Sequence, residues 1–251
     1  MQLLETLQNL DEAIFHFVNH AGSSVVLDGL MTVLTVMGIS FVMATFAVLL
    51  WMRGRKDTAI DYLVLIALVS ILAEAVKIVT NRDRPIDTLP DVNTISILGL
   101  TSASGPSFPS GHAARAFAVA ALLTFGRGPR RYGVGFVLAA GIALSRIYLG
   151  LHWPSDVLFG ALSGVIGALL LRSYARPDSS YGRARTNLIR FLVRPSISMR
   201  SKVTSGCRKS SRFAVHAFVQ DMNCSVMTNF HDIGRSPMQP LYRAFCIGCM
   251  K

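Results

Sequence analysis

The chain has 251 residues, of which 51% are hydrophobic and only 16% are charged, and its mean hydropathy is +0.46. A soluble domain of this size usually carries about 25% charged residues, so the composition argues against a soluble globular protein and for an integral membrane protein. The net charge of +11 does not indicate a nucleic-acid-binding domain, because residues 172–251 hold 14 Lys/Arg against 3 Asp/Glu and carry the whole excess.

The N-terminal segment, residues 1–35, contains four acidic residues and no Lys or Arg. Apolar residues recur at helical spacing over 3–18, which predicts an amphipathic helix lying at the membrane interface. A second short helix is predicted over 25–37, ending before Gly38. We therefore expect an N-terminal unit of one or two interfacial helices before the first spanning helix.

Two histidines, His16 and His20, lie four residues apart in the first of these helices. Two imidazoles at this spacing share one face of a helix. Two ligands alone do not make a metal site, so we interpret the pair as part of a polar helix face. The sequence predicts no metal-binding residues in the membrane body.

Five apolar runs follow, each poor in charged residues. With their flanks, each approaches the roughly 20 residues that a helix needs to span a bilayer. They predict an all-α fold, an integral membrane helical bundle with five spanning helices, or six if residues 24–37 join a deeper span. The runs are 41–52, 62–76, 113–125, 133–144 and 157–171.

Short basic loops at 53–56 and 127–131 set the expected orientation of these helices. Loops rich in Lys and Arg face the cytoplasm in most membrane proteins. Both loops and the basic tail are then cytoplasmic if the helices alternate in direction. The segments 78–110 and 146–156 accordingly face the extracytoplasmic side of a multi-pass protein in the cell membrane.

The domain organisation follows from these assignments. Residues 1–35 form the N-terminal helices, 36–173 the membrane core, and 174–251 a basic and poorly ordered cytoplasmic tail with a short basic helix at 187–193. All the cysteines lie in this tail, where reduced thiols are expected and their spacing does not favour a zinc site. They are Cys207, Cys224, Cys246 and Cys249.

Three groups of polar residues occur where the predicted helices reach the outer face. Ionisable residues at membrane depth are costly, so they are candidates for function. Three cations brought to one place repel one another unless they share an anion, and phosphate suits the paired donors of Arg and the point charge of Lys. The groups are Lys77 with Arg84-Pro85, Pro109-Ser110-Gly111-His112, and Ser145-Arg146 with His152 and Asp156.

The helix starts within these groups support an anion site. Ser110 and Gly111 precede an apolar helix, and a helix N-terminus offers free N–H groups to an anion. His152 and Asp156 lie one helical turn apart, so the carboxylate can accept a hydrogen bond from one ring nitrogen. The other nitrogen is then left unprotonated and available to a substrate.

Together the three groups resemble the signature of the type 2 phosphatidic acid phosphatase superfamily, K-x6-RP, PSGH and SR-x5-H-x3-D, over about residues 25–173. The resemblance implies a phosphatase that uses no metal or other cofactor. It implies that His152 is the nucleophile that forms a phosphohistidine, that Asp156 orients it and that His112 is the general acid. The residues implied to bind the substrate phosphate are Lys77, Arg84, Ser110, Gly111 and Arg146.

The resemblance also implies a lipid-linked phosphate as substrate, with membrane lipids as the other partners and no nucleic acid. Undecaprenyl pyrophosphate or a similar polyprenyl pyrophosphate is the first expectation, and phosphatidic acid or phosphatidylglycerol phosphate is the alternative. Two other readings stay open: transfer of the phosphate to an acceptor other than water, and a non-catalytic protein that binds or transports a lipid phosphate. The sequence gives no oligomeric state.

Overall fold

The computed structural model describes residues 2–22, 24–95, 105–125 and 129–193, and all regular structure within these ranges is helical. The all-α prediction is therefore confirmed for the described residues. The helices are α1 (Gln2–Asn19), α2 (Val25–Met37), α3 (Ser40–Met52), α4 (Lys56–Thr80), α5 (Pro85–Thr88), α6 (Gly111–Thr124), α7 (Pro129–Tyr148), α8 (Pro154–Tyr174) and α9 (Ser180–Val193).

Each of the five apolar runs falls in a helix of its own, namely α3, α4, α6, α7 and α8. Within the described residues, the segments Lys56–Thr88 and Pro154–Tyr174 are long and apolar enough to cross a bilayer. The α2 and α3 helices, bent by 66° at their junction, form a further candidate span. The count of five spanning helices and the interfacial position of α1 stay predictions.

The outer surface of the bundle carries large apolar side chains. On α3, α4, α7 and α8, the side chains of Phe41, Ile71, Val137 and Leu158 are each more than half exposed. Exposed apolar surface of this extent is unfavourable in water and suits a lipid environment. Among the described residues, the buried charged side chains lie instead in the site described below, apart from Asp61, which contacts α9.

The second helix has the bounds expected from the sequence, Val25–Met37, and ends at Gly38. The Ser24 hydroxyl caps its start by accepting a hydrogen bond from the Leu27 N–H at 3.2 Å. A Cβ atom at Gly38 would lie 2.6 Å from Cδ2 of His112. The absence of a side chain at Gly38 therefore lets the corner between α2 and α3 pack directly against the start of α6.

The closest helix packing joins α6 to α8 through small residues. A Cβ atom at Gly160 would lie 2.5 Å from the carbonyl oxygen of Ser110, and one at Gly164 would overlap the carbonyl oxygen of Ala114. Small residues at such contacts let helix backbones approach closely within a membrane. This contact holds the PSGH segment beside the helix that follows His152.

Replacing Gly164 by alanine is expected to destabilise the protein, because the added methyl overlaps the α6 backbone. Overpacking of this kind costs about 1–3 kcal/mol, so the melting temperature in detergent should fall. The matched control is Gly29→Ala, where nothing lies within 4 Å of an added Cβ and the gain in helix propensity should be neutral or stabilising. An equal melting temperature for Gly164→Ala and the wild type would contradict the packing.

The ninth helix begins seven residues before the helix expected at 187–193. Its Tyr181 hydroxyl donates to Oδ1 of Asp61 on α4 at 2.7 Å, and Arg185 forms an ion pair with the same carboxylate. The start of the tail is thereby joined to the membrane core. Residues 194–251 of the predicted tail, which include the four cysteines, and residues 126–128 of the second basic loop lie outside the described residues, as does the prediction of poor order for 194–251.

Candidate active site

His152 lies in the short segment between α7 and α8 and is almost fully buried. Pro154 starts α8, as expected for a proline at the first helical position. Asp156, also buried, accepts a hydrogen bond through Oδ2 from the Trp153 N–H at 3.0 Å. The same oxygen lies 3.4 Å from Nδ1 of His152, so the contact expected from their spacing is present.

The surroundings of His152 select one state of its ring. Nη1 of Arg84 lies 3.4 Å from Nε2 of His152, and because a guanidinium can only donate, Nε2 is the acceptor. The proton then resides on Nδ1, which faces Asp156. Burial, followed by the positive charges of Arg146, Arg84 and Lys77, holds the pKa of His152 well below its ordinary value. The ring is therefore neutral at neutral pH, with its lone pair on Nε2.

Arg84 is buried and holds three backbone carbonyl groups. Its Nε donates to Gly105 O at 2.7 Å, Nη1 to Leu151 O at 2.6 Å and Nη2 to Pro106 O at 3.1 Å. A guanidinium has five N–H donors. These three bonds and the contact of Nη1 with Nε2 of His152 use four of them, so one is left for a substrate. Arg84 thus fixes the segments that flank the site in addition to facing Nε2 of His152.

Two buried donors of the predicted phosphate site have no protein partner. They are Oγ of Ser110 and Nε of Arg146. Nε of Arg185 is the third buried side-chain atom without a hydrogen bond in the described part of the chain. It differs from the other two because it lies 3.1 Å from a carboxylate oxygen of Asp57. A buried polar atom without a partner costs about 1–3 kcal/mol. Ser110 stands just before α6 but does not cap it with its hydroxyl. Both atoms are suited to a ligand oxygen.

Arg146 is held in place from the opposite side. Its Nη1 donates to Oγ1 of Thr35 on α2 at 2.6 Å, and both residues are buried. This bond fixes the guanidinium at the end of α7.

A backbone hydrogen bond joins the second and third motifs directly. The backbone N–H of Ser110 donates to the backbone carbonyl of Asp156 at 3.0 Å.

His112 lies at the start of α6 and is partly buried. Its Nδ1 lies 3.4 Å from Nη2 of Arg115, which also donates to Gly38 O at 3.1 Å. Since Arg115 can only donate, Nε2 of His112 is the nitrogen free to exchange a proton with a substrate. His112 is within electrostatic range of Arg146, His152 and Lys77.

The remaining two predicted residues, Lys77 and Gly111, lie at the edge of this cluster. Nζ of Lys77 donates to Oε1 of Glu74 at 2.9 Å, yet its charge acts on His152. Gly111 opens α6, whose first N–H groups have no partner within the helix. The structure thus brings the residues of all three motifs into one region, with Lys77 engaged by a carboxylate of its own helix.

A partly buried ion-pair network behind His152 contains Arg82, Asp11 and Ser155. Nη1 of Arg82 donates to Oδ1 of Asp156 and to Oγ of Ser155, and Nη2 donates to Oδ2 of Asp11, each at 2.7 Å. Asp11 also accepts from the Ser155 N–H at 2.7 Å and from its hydroxyl at 2.5 Å. The carboxylate that faces His152 is therefore held by Arg82, and Arg82 is held by α1.

Arg82 lies between Lys77 and Arg84 in the first motif without being part of it, and the sequence assigns no role to Asp11. The signal that finds Asp11 is its spacing with Phe15 and Asn19. The three residues recur every fourth position and are all buried, so they mark the face of α1 that docks on the bundle. Asn19 donates from Nδ2 to Tyr148 O at 2.8 Å, which anchors the far end of the same face.

We expect Asp11→Asn to lower kcat roughly 10- to 100-fold, since displacement of a reacting group by about 1 Å can cost 10²-fold. The amide would present an N–H group to Arg82 and Ser155, which are themselves donors. A role in positioning predicts lower kcat at little-changed KM and melting temperature, measured in detergent with a lipid phosphate substrate. Glu5→Gln, an exposed acid on the same helix, is the control. Equal kcat for Asp11→Asn and Glu5→Gln would contradict this role.

Comparison with known proteins agrees with the three motifs. The sequence profile of the PAP2 superfamily matches residues 58–178. An undecaprenyl-diphosphatase of Sulfolobus acidocaldarius is 30% identical over 152 residues, which cover 60% of this chain and 71% of the relative. The chain therefore belongs to the PAP2 superfamily.

Two solved structures share its fold. LpxE from Aquifex aeolicus superposes with a TM-score of 0.60 and 31% identity, covering 66% of this chain and 96% of that chain. A transmembrane PAP2 type phosphatidylglycerolphosphate phosphatase from Bacillus subtilis superposes with a TM-score of 0.57 and 25% identity, covering 70% and 89%. These relatives confirm the predicted family and the prediction of a membrane protein. They also confirm the predicted enzyme class, which is a lipid phosphatase.

Proposed function

We propose that the chain removes the terminal phosphate of a polyprenyl diphosphate such as undecaprenyl diphosphate, through a phosphohistidine on His152. The observation that carries this proposal is the state of the His152 ring. Arg84 faces Nε2, Asp156 faces Nδ1, and burial among cations keeps the ring neutral. A fixed neutral imidazole with an aimed lone pair is the arrangement that a nucleophile requires.

The reaction then has two steps. The negative charge of the bound diphosphate favours the imidazolium form of His112. Nε2 of His152 attacks the terminal phosphorus, the bond from phosphorus to the bridging oxygen breaks, and His112 gives its Nε2 proton to the leaving lipid phosphate and becomes neutral. In the second step neutral His112 takes a proton from a water molecule, whose oxygen attacks the phosphohistidine. The bond between phosphorus and Nε2 of His152 breaks, and inorganic phosphate is released. The net reaction consumes one water and returns both histidines to their starting states.

The phosphate cradle has the charges that this reaction needs. In phosphoryl transfer, catalysis consists mainly of positioning and of stabilising charge on the phosphoryl oxygens. Ser110 and Arg146 offer buried donors without protein partners, and Arg84 has one N–H group without a protein partner. Lys77 adds a positive charge, and the N–H of Gly111 lies at the helix start. These five residues are therefore proposed to hold the phosphate oxygens.

The substrate proposal follows the names of similar proteins. The Sulfolobus acidocaldarius relative is named an undecaprenyl-diphosphatase, and the structural neighbour from Bacillus subtilis a phosphatidylglycerolphosphate phosphatase. A panel of undecaprenyl diphosphate, phosphatidic acid, phosphatidylglycerol phosphate and a water-soluble phosphate ester, assayed for phosphate release with EDTA present, separates these cases. The highest kcat/KM is expected for undecaprenyl diphosphate. A higher kcat/KM for phosphatidic acid or phosphatidylglycerol phosphate would change the proposed substrate but leave the proposed phosphatase reaction unchanged.

The same assay tests the two other readings of the site. Transfer to an acceptor other than water would yield a phosphorylated product instead of inorganic phosphate. A non-catalytic lipid-phosphate protein would bind the substrates and release nothing from any of them. Either outcome, with a folded protein, would overturn hydrolysis.

We also propose that the site opens to the extracytoplasmic face and that the tail is cytoplasmic. The membrane body lacks cysteine, so single cysteines can report the side of each segment in a background with the tail cysteines replaced by serine. Asp87→Cys, an exposed position near the site, should react with a membrane-impermeant thiol reagent in intact cells. Asp57→Cys, at the start of α4, should react only after permeabilisation. The reverse labelling would invert the proposed topology.

A further inference from the structure

A second cluster of ionisable side chains lies outside the residues assigned to catalysis. His16 and His20 on α1 face Asp91, in the segment that follows α5. One ligand atom of each residue lies within 4.8 Å of the other two. Nδ1 of His16 is 3.9 Å and Nε2 of His20 is 4.0 Å from Oδ2 of Asp91.

These separations are too long for hydrogen bonds but close to those between ligands of one metal ion. Tetrahedral zinc with bonds of about 2.0–2.1 Å holds its ligand atoms roughly 3.3 Å apart. The Asp91 side chain is 59% exposed. Rotation of its carboxylate can therefore bring Oδ2 closer to both histidine nitrogens, to the spacing that zinc requires, without moving the backbone. Two imidazoles and a carboxylate are a ligand set that suits zinc, and the fourth position is open to water.

Further contacts orient the ligands. Oε1 of Glu12, one turn before His16, lies 3.7 Å from Nε2 of His16. This separation is also too long for a hydrogen bond. With Nδ1 on a metal ion, Nε2 would carry the proton, and the Glu12 carboxylate is placed on that side of the ring to accept it. Nε2 of His20 lies 2.8 Å from the backbone oxygen of Asp91, and a metal ion would take the place of this hydrogen bond.

We propose that His16, His20 and Asp91 form a binding site for Zn²⁺ or a divalent transition metal of similar ligand preference. The ion ties α1 to the segment after Arg84-Pro85. The same helix carries Asp11, which holds Arg82 behind His152. The site therefore stabilises the docking of α1 and takes no part in the chemical step. It stands independently of the substrate, because its ligands are separate from the phosphate-binding residues.

The direct test counts zinc ions bound by the full chain in detergent. The background carries serine at Cys207, Cys224, Cys246 and Cys249, because thiols in the tail are zinc ligands in their own right. After treatment with EDTA and its removal, Zn²⁺ is titrated in competition with a chromophoric chelator. The background should bind one more zinc ion than each of His16→Gln, His20→Gln and Asp91→Asn. Asp87→Asn, an exposed acid nearby, should bind as the background does.

His112 and His152 are present in every variant, so the difference isolates the α1 site. Equal zinc binding by the background and the three ligand variants would overturn the proposal. A second readout is the melting temperature, taken first in EDTA to establish that each variant is folded. Zinc should raise the melting temperature of the background and of Asp87→Asn but not that of Asp91→Asn. Equal stabilisation of Asp91→Asn and the background would also overturn it.

Discussion

His152→Ala is expected to reduce phosphate release by roughly 10⁴-fold or more, as removal of a nucleophile does in enzymes that form a covalent intermediate. The variant loses Nε2 of His152, the unprotonated nitrogen of a neutral imidazole that lies beside Arg84. Initial rates with undecaprenyl diphosphate in EDTA measure the effect. Melting temperature checks the fold, because the imidazole is buried and its loss leaves a cavity.

The matched control for this variant is His20→Gln, which changes a half-exposed histidine outside the catalytic residues. In EDTA it should retain the wild-type rate. A folded His152→Ala protein that keeps more than a tenth of the wild-type rate would exclude His152 as the nucleophile. Direct attack of water on the lipid phosphate would then be the remaining route.

Arg146→Ala should lower kcat/KM by roughly 10²- to 10³-fold, the usual cost of removing a donor that stabilises transition-state charge. Nε of Arg146 is buried without a protein partner, so its donor capacity is available to the phosphate. Arg146→Lys should recover only part of the loss, because an ammonium group cannot reproduce a planar pair of donors. Arg183→Ala, an exposed arginine on α9, is the control.

The same variant has a second expected effect, on pH dependence. The positive charge of Arg146 lowers the pKa of His152, so its removal should raise that pKa towards the ordinary value. Protonated imidazole cannot attack phosphorus. The acid limb of the kcat/KM profile should therefore move to higher pH in Arg146→Ala. An unchanged acid limb together with an unchanged rate would show that Arg146 does not reach the substrate.

The residues of the three motifs could be predicted from the sequence because each depends on local structure. Pro154 starts a helix, and Asp156 follows His152 by one turn, so their contact needs no knowledge of the fold. Ser110 and Gly111 likewise mark the start of α6 by residue type alone. Convergence of the motifs followed from the expectation that all three lie at the same face of the membrane.

The contacts of α1 could not be predicted in this way, because they join residues about 70 positions apart in the sequence. An acid on an amphipathic helix is usually solvated, and only the docked position of α1 brings Asp11 to Arg82. Phe15 was expected among the apolar residues at the membrane interface. The structure buries it within the protein, against the start of α8, because the Asp11, Phe15 and Asn19 face of α1 packs on the bundle.

The most direct test of His152 as the nucleophile is to trap the covalent intermediate. Undecaprenyl diphosphate labelled with ³²P in its terminal phosphate is mixed with the enzyme in EDTA, and the reaction is quenched in alkali, where phosphohistidine is stable. Alkali-stable label is expected on the peptide that contains His152, and it should be absent from His152→Ala. Release of labelled phosphate at the normal rate with no label on His152 at any quench time would contradict it.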